Sequence, residues 1–255
     1  MTDRLDGARA KVERAKEQIQ EFNTVIRNSI DSFYGIRCEE RDDSINFRAV
    51  VRGGLPIKWS IIAGEIAHNL RSALDHVVWQ LVDEKGTART EFPIFDSSEK
   101  YETTGKKKIQ LVSASAQEII EGLQPYHKGM EFSAHPLYRL HHINRIDKHR
   151  SLHLLGIAVS KAAIGIGGSG TLHSLIIHNP KPTFPLEHDA VLRTVHAAAG
   201  TSGVKVSHEF SFEIAFGKFE VCEGLHVIPT LRQIADFVGE KIELFKDHVS
   251  GPPAK

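Results

Sequence analysis

The 255-residue chain sets 32 lysines and arginines against 32 aspartates and glutamates, so its overall field gives no reason to expect a nucleic-acid or membrane surface, and only a local basic patch is left open. Hydrophobic residues make up 41% and charged residues 25%, which excludes bulk disorder and suffices for a core without staples. Two cysteines, a charged start (MTDRLDGARAKVERAKEQ) and no apolar run near the ~18 residues that cross a bilayer together predict a soluble cytoplasmic protein without signal peptide or membrane span.

Residues 3–31 predict a long amphipathic helix, because Leu5, Ala8, Val12, Ala15, Ile19, Phe22 and Ile26 recur at steps of three and four. A β-hairpin is expected near 33–52, where Tyr34, Ile36 and Cys38 alternate, as do Ile45, Phe47, Ala49 and Val51, around a polar EERDD. A second helix is expected over 57–82. The polar segment after it, through Lys108, is too long for a simple connection and reads as a functional flap or a surface loop. Further helices are expected over 116–123 and, opened by Pro136, over 136–155. From 156 the period becomes two. GIAVSKAAIGI, TLHSLIIHN and VKVSHEFSFEIAF read as strands, the last with Val204, Val206, Phe210, Phe212, Ile214 and Phe216 on one face. A last amphipathic helix over 229–249 precedes the tail.

This order predicts an α+β fold, a helical bundle with a mostly antiparallel sheet. A mainly helical region 1–155 carries the hairpin. Residues 156–255 supply strands and the closing helix, packed with the first region as one unit.

The run Gly165-Ile-Gly-Gly-Ser-Gly170 matches the letters of a dinucleotide fingerprint but is followed by a strand-like segment, so a glycine-rich hairpin loop is the better reading. Histidines are numerous, fifteen in all, with His127, His135, His141, His142, His149 and His153 close together. Two helices concentrate chemistry. On 57–82, Ile62, Ile66, Leu70, Ala73, Leu74, Val77 and Leu81 form an apolar face. Glu65, Asn69, Ser72 and His76 form a polar stripe opposite it, with His68, Arg71 and Asp75 on the shoulder. On 136–155, Tyr138, His142, Arg145 and His149 share a face, while Asp147 falls among apolar neighbours and needs a partner to tolerate burial.

Three uses of these stripes compete. They form a structural polar network, or merely face water. They bind metal through His149 and His153, spaced i, i+4; His142 and His149 lie about 10 Å apart in rise, too far for one zinc, and no H-E-x-x-H or cysteine pair accompanies them, so neither metal nor cofactor is expected. Or they cleave RNA. The segment Arg71-Ser-Ala-Leu-Asp-His76 resembles the R-x4-6-H motif of the HEPN superfamily, many of whose members are dimeric, metal-independent endoribonucleases. That resemblance implies His76 as general acid/base on the 2′-hydroxyl or leaving oxygen, and Arg71 stabilising phosphate charge. Ser72 stands where the motif commonly has Asn, Asp or His, and Arg71 and His76 project about 140° apart on an ideal helix, so a shared site needs a bend or a second subunit. Separately, HNLRSALDHVVWQL, FPIF and HPLYRLHHINRIDKHRSLHLL resemble a group of uncharacterised bacterial proteins that carry the same HNLRSALDH and IDKHR blocks. The likeness spans roughly 60–155, implies a bacterial or phage source, and pairs the two helices as one unit.

The working expectation is that these helices present Asn69, Arg71, His76, Arg145, Lys148 and His149 to one pocket, with Ser72 beside them. The expected occupant is RNA or another phosphate-bearing ligand, bound by a homodimer. The alternative is a non-catalytic interaction module that recognises a partner through its one-sided sheet.

Overall fold

The computed structural model describes residues 3–41, 44–82, 90–167, 175–178, 184–197, 205–218 and 221–249, with 158–167, 175–178, 197 and 205–209 described as backbone. Helix α1 (Asp6–Ser29) has Asp6 in its first turn and Arg27 in its last, the signs that the helix dipole favours at each end. Its stripe of Ala8, Val12, Ala15, Ile19, Phe22 and Ile26 is buried as the periodicity predicts. Helix α2 (Ile57–Leu81) is buried over more of its circumference than one stripe. It is the central helix, touched by α1, by α6 (Pro136–His149) and by α7 (Val227–Ile242).

Between α2 and α6 the chain is not a bare loop. After an extended stretch, α3 (Ser98–Lys100), a π-helical turn (Tyr101–Gly105) and α4 (Lys106–Lys108) run on as one helical segment, followed by α5 (Ala114–Gly122) and 3-10 turns over Pro125–Ala134. Pro136 occupies the first turn of α6, and the ring of His135 accepts the Leu137 N–H at 3.2 Å.

The helix expected over 136–155 stops at His149. Arg150 is extended, and β3 (Leu154–Gly167) begins four residues later. Pairing of Leu154 with Phe216 and burial of Leu152 outweigh the helical periodicity that seemed to continue there.

The strands form two antiparallel sheets. One has the order β1 (Tyr34–Glu40), β2 (Ser44–Val51), β5 (Val191–Ala197), β4 (Leu175–His178); the other pairs β3 with β6 (Lys205–Phe216). The early hairpin is therefore extended by a strand from the second half of the chain, and β5 is a strand that periodicity alone does not pick out. Tyr34 joins the sheets: its ring stacks on Phe212 at 5.6 Å between centroids, and its hydroxyl accepts the Gly156 N–H at 3.0 Å. A Cβ at position 156 would fall 2.1 Å from that ring, so glycine is required for this approach. On β6, Phe212, Ile214 and Phe216 are buried as expected; Val204 lies outside the described residues, and Val206 is described as backbone. Of the glycine-rich run, Gly165 and Gly167 end β3, residues 168–170 lie outside the described residues, and the next described element is strand β4 rather than a helix.

Among the described residues no helix is long and apolar enough to cross a membrane.

Candidate functional site

A cleft of about 490 Å³ opens between α2, α6 and the segment 91–108. Five cationic side chains line it (Arg71, Lys100, Lys108, Arg145 and Lys148) against two carboxylates, Glu91 and Asp96. Tyr138, His141, His142, Asn144 and His149 complete the α6 wall. The segment that reads as a flap thus supplies one side of the cleft.

Arg71 fixes that side in place. Its Nη2 donates to Asp75 Oδ1 at 2.8 Å, one helical turn on, and to the Phe92 carbonyl at 2.6 Å, while the Phe92 N–H donates to the same Asp75 oxygen at 2.9 Å. The pair thereby holds both backbone groups of Phe92 against α2. Burial pushes the Asp75 carboxyl above its ordinary range despite the opposing charge of Arg71. Gln124, 1% exposed, does the same from the other end: its Nε2 donates to the carbonyls of Pro93 (2.8 Å) and Ile120 (3.0 Å), and its Oε1 accepts the Phe95 N–H (3.0 Å). No periodic pattern singles out Gln124, because two of its partners, at Pro93 and Phe95, are backbone groups of a non-repetitive segment.

On α6, burial first, then the charges of Arg71 and Arg145, hold His141 down to about 4, so it is neutral near pH 7. The Arg145 guanidinium lies 3.3 Å from His142 Nε2, and the Tyr138 ring stands 5.5 Å from the His142 ring. Lys148 and His149 are exposed at the mouth. Two buried groups in the wall have a polar atom without a hydrogen-bond partner among the described residues: Nη1 of Arg71, 7% exposed, and Oδ1 of Asn144, 4% exposed.

Of the six side chains expected to share a pocket, Arg71, Arg145, Lys148 and His149 line this cleft, and Asn69 and His76 do not. Asn69 donates from Nδ2 to Gln18 Oε1 of α1 at 2.8 Å. His76 also turns to α1: a methyl placed on Gly7 would sit 3.5 Å from its Nδ1, and burial together with Lys11 lowers its pKa. Ser72 is half-buried and outside the lining. Arg71 and His76 therefore face different neighbours within one chain, as the angle between them on α2 requires. The helical pairing of His149 with His153 does not form, because α6 ends at His149. Among the described residues no three or more His, Cys, Asp or Glu are grouped to hold a metal ion. Asp147 lies over Gly64 of α2, its pKa raised by burial and partly offset by His68.

The lining residues that sequence reasoning passes over are Glu91, Asp96, Lys100 and Lys108 on the flap-like segment, and Asn144 on α6. The available signal is the unusual length and polarity of that segment.

A second cleft, of about 420 Å³, lies between α1, β6 and α7. Its charges balance, Arg27 and Arg232 against Asp31 and Glu213, and Glu213 is paired with His226 Nδ1 at 2.6 Å. It offers no excess charge for a ligand to complement, so the α2–α6 cleft is the stronger candidate. No family model, curated protein or solved structure matches the chain.

Proposed function

We propose that the α2–α6 cleft binds a phosphate-bearing ligand, with single-stranded RNA the form that suits cations supplied from separate elements, Arg71 on α2, Lys100 and Lys108 on the flap-like segment and Arg145 and Lys148 on α6. The observation that carries this reading is the convergence of five cationic side chains and only two carboxylates on one cleft. Arginine and lysine clustered in this way recognise phosphate oxygens, and neutral His141 adds a hydrogen-bonding group without repelling the ligand's other cationic contacts. In this reading Arg71 anchors the wall, while Arg145, Lys148 and His149 meet the ligand. It does not need Arg71 and His76 to act as a catalytic pair.

The test is fluorescence anisotropy of a labelled single-stranded RNA at several salt concentrations, in EDTA, with the products then run on a gel. Binding should weaken steeply with salt, by roughly 0.7 log units per phosphate contact for each tenfold rise in salt. Lys148→Ala and Arg145→Ala should each weaken it and reduce the salt slope by close to one contact, while His76→Ala should bind as wild type. Binding that is absent, or unchanged in Lys148→Ala and Arg145→Ala, refutes the reading. Metal-independent cleavage lost in His76→Ala would instead restore a HEPN-like nuclease, with the second subunit completing the Arg71–His76 pair.

A further inference from the structure

We propose that the phosphate subsite of this cleft is the position now held by the Glu91 carboxylate, so that Glu91 is a built-in competitor which a bound phosphate group displaces. The inference rests on the phosphate-binding reading above and adds where the anion sits and what opposes it.

Cations from separate elements converge on Glu91. Its Oε1 pairs with Lys108 Nζ of α4, and its Oε2 lies 3.8 Å from Arg71 Nη2 of α2. Burial alone would push this carboxyl up. The hydrogen bond from Lys108, with the charges of Lys108, Arg71 and Lys148 on α6, reverses that and leaves it below its ordinary range. A carboxylate held between Lys108 and Arg71 marks a place where an anion is favoured. Asp96, by contrast, is drawn off to Lys100 at 3.0 Å.

Glu91 is also free to leave. Its side chain is 45% exposed, and exposed ion pairs of this kind contribute little net stability. The backbone beside it stays where it is, since Arg71 and Asp75 hold both polar groups of Phe92. Displacement therefore needs a side-chain rotation and no movement of the wall. A phosphate in its place would meet Lys108, Arg71 and Lys148 together, beside Arg71 Nη1, which has no hydrogen-bond partner among the described residues.

The experiment is calorimetric titration of the full chain with inorganic pyrophosphate, comparing wild type with Glu91→Gln, Glu91→Ser, Asp96→Asn and Lys148→Ala at matched melting temperature. Removing a like charge a few ångströms from the bound anion in a half-open cleft should tighten binding about tenfold. Both Glu91 variants should show this gain, and Asp96→Asn should stay within about threefold of wild type. If Lys148→Ala weakens binding but the Glu91 variants bind no more tightly than Asp96→Asn, the cleft takes phosphate elsewhere and the inference falls alone. If wild type and both Glu91 variants fail to bind pyrophosphate, the inference falls together with the phosphate-binding reading.

Discussion

Gly64→Ala tests the contact that brings α6 to α2 and so shapes the cleft. An alanine Cβ at 64 would lie 2.0 Å from Asp147 Oδ1, 2.2 Å from its Cγ and 2.6 Å from its Oδ2, far inside van der Waals contact. In an unobstructed helix the change would gain about 1 kcal/mol, because glycine is the poorer helix former. Here it forces Asp147 from its rotamer or α6 away from α2, and overpacking of that kind costs about 1–3 kcal/mol. The cost wins over the gain, so Gly64→Ala should lose about 1 kcal/mol net, or about 2–4 °C in a chain of this size. The decisive comparison is a double-mutant cycle. Asp147→Ala removes the three atoms that the new methyl meets, so in that background Gly64→Ala should cost about 2 kcal/mol less. Urea denaturation of the four proteins, with coincident circular dichroism and fluorescence transitions, measures the coupling. A coupling below about 0.5 kcal/mol, or a Gly64→Ala protein more stable than wild type, would refute the close α2–α6 approach. Where α6 rather than the Asp147 side chain gives way, Gly64→Ala should also weaken RNA binding, since it shifts Arg145 and Lys148 relative to Arg71.

Two further predictions concern the wall of the cleft and two histidines held neutral by burial. Gln124→Leu keeps the side chain's bulk but leaves the Phe95 N–H and the Pro93 carbonyl without their partner, at a cost of about 2–4 kcal/mol. Limited proteolysis should then cut the segment 91–97 faster, and unchanged protection would contradict Gln124's role as its anchor. His135 and His141 are each held at about 4, from an ordinary 6.5, by burial above all and then by neighbouring cations. Their folded forms resist a proton that the unfolded chain accepts, so their contribution is complete above pH 6.5 and is lost as pH falls towards 4. The double variant His135→Gln, His141→Gln should flatten stability over that window, and a slope equal to wild type's would show that other groups control it.

The amphipathic helices were determined by the sequence itself. The stripe Ala8, Val12, Ala15, Ile19, Phe22 and Ile26 is buried on α1, and the alternation at Phe212, Ile214 and Phe216 is buried on β6. Periodicity is a local property, and a single covered face writes it directly into the chain. Only the tertiary structure decided where α6 stops, because the competing attraction is the pairing of Leu154 with Phe216, more than sixty positions away. The same holds for β5, which owes its place to β2 and β4 on either side.

For the candidate site, residue chemistry singled out Arg71, Arg145, Lys148 and His149, which the fold brings to one cleft, since varied polar groups on two helices are conspicuous in sequence. It placed Asn69 and His76 with them because a polar stripe opposite an apolar face looks solvent-facing. In the fold α2 is surrounded by α1, α6 and α7, so Asn69 and His76 of that stripe turn to α1, while Arg71 on its shoulder meets the cleft. Glu91, Lys108 and Gln124 were illegible for a related reason: they act from segments without a period, and their partners lie far along the chain.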